Sequence, residues 1–262
     1  MKRNWHARLE PILRHAGEIL LSYWGKPLTR QEKPDSGFVT EADLASEKYL
    51  VEALKRLLPT ADFYTEENGK FGSNDSGYQW VIDPLDGTTN FAHGIPYFCI
   101  SVALVYHDKP VCGAIYAPLQ DEFFFAQEGK GAFLNDRAIQ VSAPKSLSEA
   151  LVAVGLPYGS RKKSNALEEV ENIALGVQSI RHCGAVALDL ANLAAGRFDG
   201  LYFTGLAWWD VAAGMLLVQE AGGLATDHKG ALIGPDYESC MAGGELVYEG
   251  LQQILDKNTS KN

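Results

Sequence analysis

Hydrophobic and polar positions along the chain predict helices at its start and strands in its middle. Apolar residues recur at helical spacing from Trp5 to Trp24 and again from Asp43 to Leu58, which is typical of amphipathic helices. A short apolar run, Trp80-Val81-Ile82, predicts a buried strand. Longer runs separated by polar turns then predict an antiparallel meander: Phe98 to Tyr106, Pro110 to Ala117 and Glu122 to Gln127.

The rest of the chain alternates between strand-like and helix-like patterns. In chain order we predict the strand Leu151 to Val154, the helix Ala166 to Gly176, the strand Ile180 to Cys183, the helix Ala185 to Ala195, the strand Leu201 to Phe203 and a helix from Trp209 to Gly222. Such alternation favours an α/β layer packed on the first sheet. We expect residues 1–262 to form a single domain of two packed halves, about 1–145 and about 146–262.

The composition is ordinary for a globular protein, with an excess of acidic residues. The chain has 262 residues, of which 46% are hydrophobic and 21% are charged, so it can fill one large domain. Its net charge of −10 argues against nucleic acid or an anionic membrane as the main partner. No long apolar run follows Met1, so we expect neither a signal peptide nor a membrane span, and a cytoplasmic location.

The cysteines lie far apart, without Cys-x-x-Cys spacing, at Cys99, Cys112, Cys183 and Cys240. This spacing indicates neither a zinc site nor a disulfide framework. Two of them lie within apolar strand-like runs, so we expect reduced, buried thiols.

The segment from Asp83 to Phe91 has the chemistry of a site for Mg²⁺. Asp83 and Asp86 follow the buried strand, and Pro84 prevents a helix from starting before them. Both acids and the Leu85 carbonyl can converge on one hard cation, since Mg²⁺ prefers oxygen ligands. The alternative is an acidic turn that caps a helix.

The same segment is suited to binding phosphate. Gly87 allows the backbone to approach an anion closely. Thr88 and Thr89 suit the N-cap of a following helix, whose free N–H groups favour a phosphate.

Two other acidic segments complete the candidate site. Glu66 and Glu67 follow a short apolar patch and begin a loop, where such residues are usually only solvated. Asp210 opens the helix that follows Trp209, and there it can equally serve as an N-cap or first-turn acid.

Together these segments resemble the inositol monophosphatase family of Mg²⁺-dependent, lithium-sensitive phosphatases over nearly the whole chain. The matching motifs are Glu66-Glu67, the stretch from Asp83 to Phe91 and the stretch from Trp209 to Gly214, in the family's order. Val39 to Asp43 and Gly184 to Asp189 resemble two further family elements. The resemblance implies an α/β (α+β) fold, a layered αβαβα sandwich of the inositol monophosphatase / fructose-1,6-bisphosphatase type.

The resemblance also implies two to three Mg²⁺ ions, the third and weakest near Glu66. Their ligands would be four carboxylates and one backbone carbonyl: Glu66, Asp83, Leu85, Asp86 and Asp210. Thr88 and Asp43 would form a hydrogen-bonded relay beside the attacking water, with Glu66 in reach. The expected substrate contacts are Asp86, Gly87, Thr88, Val186, Phe203 and Asp210. Clustered carboxylates repel one another, so bound cations would make their burial tolerable.

The implied activity is Mg²⁺-dependent hydrolysis of a small-molecule phosphate monoester by a phosphoric monoester hydrolase, usually a homodimer. Myo-inositol 1-phosphate is the leading substrate. The alternatives are histidinol phosphate, fructose 1,6-bisphosphate or another small monoester, because family members with the same metal ligands differ in substrate. A hypothesis of another class is a non-catalytic regulatory or binding protein on the same fold, which would lack a metal ligand; none is missing here.

The chain departs from inositol-specific relatives at Phe203. At the corresponding position those relatives have a glutamate, which accepts hydrogen bonds from inositol hydroxyls. The phenyl ring of Phe203 cannot accept them. We therefore expect looser binding of inositol phosphate, with Val186 and Phe203 in contact with the leaving alcohol. The alternative is that Phe203 packs into the core and that Thr204 or a neighbouring loop binds the hydroxyls.

The polar stretch from Thr29 to Gly37 looks mobile. In the family the corresponding segment folds over the metal site, and the alternative is an ordinary surface linker.

Overall fold

A computed structural model describes residues 4–33, 37–73, 76–156, 166–235, 237 and 239–259. The helices are α1 (His6–Tyr23), α2 (Glu41–Leu57), α3 (Thr88–Ala92), α4 (Ala166–Gly176), α5 (Val186–Ala194), α6 (Trp208–Glu220) and α7 (Glu245–Thr259). The strands are β1 (Arg30–Glu32), β2 (Phe38–Thr40), β3 (Asp62–Thr65), β4 (Gly69–Phe71), β5 (Tyr78–Asp86), β6 (Cys99–Tyr106), β7 (Lys109–Ala117), β8 (Glu122–Gln127), β9 (Ala132–Leu134), β10 (Arg137–Ile139), β11 (Leu151–Gly155), β12 (Ser179–Arg181), β13 (Gly200–Thr204), β14 (Leu224–Thr226) and β15 (Ser239–Gly243). None of the described helices combines the length and hydropathy that crossing a bilayer requires.

The larger sheet contains the predicted meander. It has eight strands in the order β10-β9-β8-β7-β6-β5-β3-β4. Each strand from β5 to β8 pairs antiparallel with the next strand along the chain, as predicted, whereas β3 runs parallel to β5. Helices α1 and α2 cover one face, and α5 and α6 pack against the other.

The smaller sheet is the α/β layer that the second half of the sequence predicted. Its five strands follow the order β12-β11-β13-β15-β14, with β12, β11 and β13 parallel to one another. Helices α5 and α6 lie between the two sheets, and α4 and α7 cover the outer face. The layers therefore follow the predicted order αβαβα, which confirms the fold class.

Helix α6 lies so close to the larger sheet that it needs a glycine beneath it. The helix is buried from Val211 to Val218, as expected of a helix enclosed between two sheets. Gly113 of β7 faces the backbone of Ala213 in this helix. Side chains from distant parts of the chain, such as Ile115 and Leu217, share this core. The division of the domain into halves near residue 145 stays a prediction.

Short or exposed elements were not predicted. Strand β1 pairs with β2, so part of the expected mobile stretch or linker is a strand. All of β1 is exposed and polar, which leaves no apolar periodicity to detect. Helix α7 was also missed, although Val247, Leu251 and Leu255 are buried at helical spacing.

Replacing Gly113 by alanine should destabilise the protein, because the added methyl would meet the backbone of α6. An ideal Cβ at this position lies 2.8 Å from the Ala213 carbonyl oxygen and 3.0 Å from its Cα. Overpacking of this kind costs about 1–3 kcal/mol, so we expect thermal unfolding to shift downward by several degrees. Gly234→Ala is the matched control, since no described atom lies within 4 Å of an ideal Cβ there. Equal melting of the two variants would contradict this packing role.

Candidate active site

A parallel pair of strands brings Glu66 and Asp83 together. Thr65 of β3 is in register with Ile82 of β5, and the Glu66 N–H donates to the Ile82 carbonyl at 3.1 Å. The next residues in this register are Glu66 and Asp83. Glu66, just after the end of β3, therefore lies beside Asp83 of β5.

A β-bulge places Asp83 and Asp86 on the same side of β5. Asp83 pairs with Ser101 and Asp86 pairs with Cys99, so three steps along β5 match two steps along β6. In a regular strand, residues three apart face opposite sides, and the extra residue of a bulge cancels that alternation. The sequence suggested a turn after the apolar run, but β5 continues through Pro84, a residue that bulges tolerate.

Asp210 joins these acids from α6. The Ser101 hydroxyl, opposite Asp83 in the sheet, donates to the Trp209 carbonyl at 3.4 Å. Asp210 lies in the first turn of α6, in agreement with the alternative that it is an N-cap or first-turn acid. Its Oδ2 accepts the Ala207 N–H at 2.6 Å.

The N-terminus of α5 holds Asp86. Oδ2 of Asp86 accepts the Ala187 N–H at 2.7 Å and the Leu188 N–H at 3.4 Å. These groups are free at a helix start and favour a negative charge. The segment that begins with Gly184 thus contributes to the site by fixing a carboxylate of β5.

The acids are buried and repel one another. Asp83 is 2% exposed and Asp86 is 8% exposed. Burial, followed by the charges of Glu66, Asp86 and Asp210, raises the pKa of Asp83 well above 3.8. Burial and the Asp210 charge likewise raise the pKa of Asp86, although the Ala187 N–H opposes the shift. In the described part of the chain, no three His, Cys, Asp or Glu side chains are arranged around one point suited to a metal ion.

Thr88 and Asp43 form the hydrogen-bonded pair that the resemblance implied. The Thr88 Oγ1 lies 2.9 Å from Asp43 Oδ1 and 3.0 Å from the Leu85 carbonyl oxygen. Asp43 Oδ2 accepts from both the N–H and the hydroxyl of Thr40, which caps α2. Burial raises the pKa of the Asp43 carboxyl, against the effect of the Thr40 hydrogen bonds.

Gly87 rather than a threonine is the N-cap of α3, which corrects the sequence interpretation. Its φ of 91° lies in the left-handed region, and an ideal Cβ would lie 3.0 Å from the Tyr97 carbonyl oxygen. Thr88 is the first residue of α3, and its hydroxyl is engaged with Asp43 instead of capping the helix.

Two site residues were missed because they lie inside a helix without a motif. Ser46 donates to the Pro84 carbonyl at 2.9 Å. Glu47, which is 1% exposed, accepts from the Thr65 hydroxyl at 2.9 Å and from the Glu67 N–H at 3.0 Å. The signal was available, since positions three and four after Asp43 lie on the same face of a helix.

Lys33 was also missed, although it contacts the acidic cluster. Its Nζ lies 2.8 Å from Glu66 Oε1 and 2.8 Å from Glu67 Oε1. The polar stretch that begins at Thr29 therefore reaches the candidate site through Lys33, while residues 34–36 lie outside the described residues.

The residues expected beside the substrate alcohol are largely buried. Val186 is 6% exposed and Phe203 is 5% exposed, and both belong to the core between the sheets. The Phe203 ring lies over Gly155 of the neighbouring strand. The burial of Phe203 agrees with the core-packing alternative, whereas Thr204 follows it in β13 and points to the opposite face.

Metal-free protein should lose stability as the pH rises from acidic to neutral, because folding favours the protonated form of Asp83. A carboxyl with a raised folded-state pKa stabilises the fold fully below its unfolded value, 3.8, and this contribution is lost as the pH rises through the folded-state pKa. The stability of the Asp83→Asn variant should therefore depend less on pH. In chelator at neutral pH the variant should melt a few degrees higher than wild type, since about 1 kcal/mol corresponds to roughly 2–4 °C.

Calorimetric melting over a pH series measures both effects. The control is Asp108→Asn, which makes the same change at an exposed turn with φ of 62°, a conformation that asparagine tolerates. Parallel pH profiles of wild type and Asp83→Asn would contradict the repulsion.

Solved structures of similar proteins share this fold. The extragenic suppressor protein suhB of Bartonella henselae has a TM-score of 0.91 and 38% identity, over 97% of this chain and 99% of that one. The inositol monophosphatase of Anabaena has a TM-score of 0.85 and 35% identity, over 97% of each chain.

Curated relatives agree with the structural comparison. The inositol-1-monophosphatase of Mesorhizobium japonicum is 40% identical over 87% of this chain and 86% of its own length. The Nus factor SuhB of Xylella fastidiosa is 39% identical over 92% of this chain and 90% of its own. The model of the inositol monophosphatase family matches residues 2–259, and this chain therefore belongs to that family.

Proposed function

We propose that this protein hydrolyses small-molecule phosphate monoesters with Mg²⁺, and that myo-inositol 1-phosphate is its leading substrate. Family membership implies a metal-dependent phosphatase. The observation that best supports the proposal is that Glu66, Asp83, Asp86 and Asp210, from separate stretches of sequence, lie near enough for their charges to raise the pKa values of Asp83 and Asp86. Histidinol phosphate, fructose 1,6-bisphosphate and other small monoesters remain the alternative substrates.

We assign metal binding to the acidic cluster and one carbonyl: Glu66, Asp83, Leu85, Asp86 and Asp210. The mutual repulsion of these acids fits the binding of two to three cations. One of the acids, Glu66, already has the ammonium of Lys33 beside it. When bound, Mg²⁺ supplies the positive charge that activates a water and offsets the charge of the phosphate.

The relay residues have the chemistry to move a proton away from the attacking water. When the Thr88 hydroxyl donates to Asp43, its lone pairs are free to accept a hydrogen bond from that water. Asp43 is suited to receive the proton because burial raises the pKa of its carboxyl. Glu66 is the second group in reach.

The remaining assigned residues bind the substrate. The backbone N–H groups of Gly87 and Thr88 would hold phosphate oxygens. Asp86 and Asp210 would orient the ester from the metal side. Val186 and Phe203 would offer the leaving alcohol only the small apolar surface that their burial leaves exposed.

A second candidate function is suggested by relatives named Nus factor SuhB, such as the Xylella fastidiosa protein. This second function corresponds to the hypothesis of a non-catalytic regulatory or binding protein on the same fold. The complete set of acids and the intact Thr88–Asp43 pair favour the enzyme. A chain that releases no phosphate from any monoester at saturating Mg²⁺ would favour the second function.

We also propose a cytoplasmic location. The cysteines Cys99, Cys112, Cys183 and Cys240 are free in the structure, and unpaired thiols fit a reducing cytoplasm. A homodimer and inhibition by Li⁺ stay predictions from the family.

Changing Asp210 to asparagine should lower phosphate release by at least roughly 10²-fold, because a neutral amide replaces a carboxylate ligand. The amide oxygen can still accept the Ala207 N–H, so α6 keeps its cap and the melting temperature should change little. Phosphate release at saturating Mg²⁺ and thermal melting measure the two effects. The control is Glu245→Gln, an exposed first-turn acid of α7. Near-normal turnover by Asp210→Asn would remove Asp210 from the ligands.

The Phe203 position should make the enzyme tolerant of several alcohols. A site built to pair substrate hydroxyls discriminates by roughly 10⁴ or more, which an apolar ring cannot achieve. We expect kcat/KM values for myo-inositol 1-phosphate, glycerol 2-phosphate, histidinol phosphate and fructose 1,6-bisphosphate to differ by less than that. Phe203→Glu should shift preference toward the inositol ester, and Phe203→Leu, which adds no acceptor, is its control. A wild type with preference above about 10⁴ for the inositol ester would contradict the idea.

A further inference from the structure

The Lys33 ammonium bridges the two adjacent glutamates at one end of the acidic cluster. Its Nζ makes a 2.8 Å contact with Glu66 Oε1 and another with Glu67 Oε1. The side chains are mostly enclosed, with exposed fractions of 24% for Lys33, 22% for Glu66 and 5% for Glu67. Ion pairs shielded from water in this way are screened less by salt than surface pairs.

The backbone around Lys33 ties this contact to the rest of the site. Lys33 directly follows β1, and its N–H donates to the Gly37 carbonyl at 3.1 Å. Strand β1 pairs with β2, whose last residue, Thr40, caps α2 and holds Asp43. The ammonium therefore reaches the acids from a hairpin that is itself anchored beside the Thr88–Asp43 pair.

The single ammonium of Lys33 is the partner of both glutamates, through one contact to each. One positive charge thus serves two carboxylates, of which only Glu66 is assigned to metal binding.

We infer that Lys33 is a tethered cation that competes with one divalent ion for Glu66 and moves aside onto Glu67 when that ion binds. The inference rests on the proposed metal-dependent function and adds a residue which that function does not use. A lysine is suited to this exchange, because its ammonium is a compact charge on a flexible stem. A divalent ion carries twice the charge and displaces it at sufficient concentration, while Glu67 keeps the displaced ammonium paired.

The first test follows the reactivity of Lys33 with the metal alone. Trace reductive methylation of the full chain, read by peptide mass spectrometry, should label Lys33 roughly tenfold faster in saturating Mg²⁺ than in chelator, because Mg²⁺ removes one of the two carboxylate partners; a tenfold change corresponds to about 1.4 kcal/mol. Lys70 is the internal control, since it is exposed and its Nζ lies over the Tyr64 ring at 4.8 Å. Labelling of Lys33 that does not respond to Mg²⁺ would overturn the inference.

The second test removes the competitor. Calorimetric titration with Mg²⁺ should show roughly tenfold tighter binding at one site in Lys33→Met, whereas Lys33→Arg, which keeps the charge, should bind no more tightly than wild type. In chelator, Lys33→Met should also melt lower than wild type, because Glu66 and Glu67 lose their shared partner, and Mg²⁺ should reverse that difference. Lys70→Met makes the same charge change nearby and should leave the affinity unchanged.

The outcomes separate this inference from the proposed function. Equal Mg²⁺ affinity in wild type and Lys33→Met, or equal gains in Lys33→Met and Lys70→Met, overturns the competition while leaving the phosphatase assay unaffected. A wild type that binds Mg²⁺ and exposes Lys33 but releases no phosphate supports the competition and contradicts the phosphatase. Absence of any Mg²⁺ binding contradicts both.

Discussion

Repulsion among buried carboxylates is the constraint around which the candidate site is built. Asp83 and Asp86 lie on one side of β5 and are almost completely enclosed, with the further acids Glu66 and Asp210 near them, and two neighbouring elements contribute groups that offset this charge. The N-terminus of α5 donates N–H groups to Asp86. From the opposite direction, Lys33 brings an ammonium to Glu66. Groups from elements that are remote in the sequence thus offset the charge of one cluster of acids.

Helix α2 holds this arrangement in register. Asp43, Ser46 and Glu47 lie on one helix face and bind, respectively, the Thr88 hydroxyl, the Pro84 carbonyl and the loop after β3. The bulge in β5 can keep its irregular backbone because one of its carbonyls is bonded to a buried serine. Since the two acid-bearing segments share one rigid support, their separation is set by helix geometry rather than by loop conformation.

The sequence allowed the layers and most acids to be predicted, because both depend on local patterns. Apolar periodicity identified the meander, and the Asp83 to Phe91 motif pointed to the acids of the candidate site. What it could not reveal depends on long-range geometry. The bulge is visible only from the pairing of β5 with β6, and Gly87 caps α3 because of a close approach to Tyr97. Lys33 carries no periodic signal at all, since its role arises from the position of a short, exposed hairpin.

The proposed metal end and the proposed alcohol end of the site are built by different elements, which allows them to vary separately. The acids belong to β5, α6 and the loop after β3, whereas Phe203 belongs to β13 of the other sheet. The ring fits there because its neighbour is glycine: an ideal Cβ on Gly155 would lie 1.9 Å from the ring. Thr204 cannot replace the missing acceptor from its present position, because alternation along β13 directs it to the opposite face.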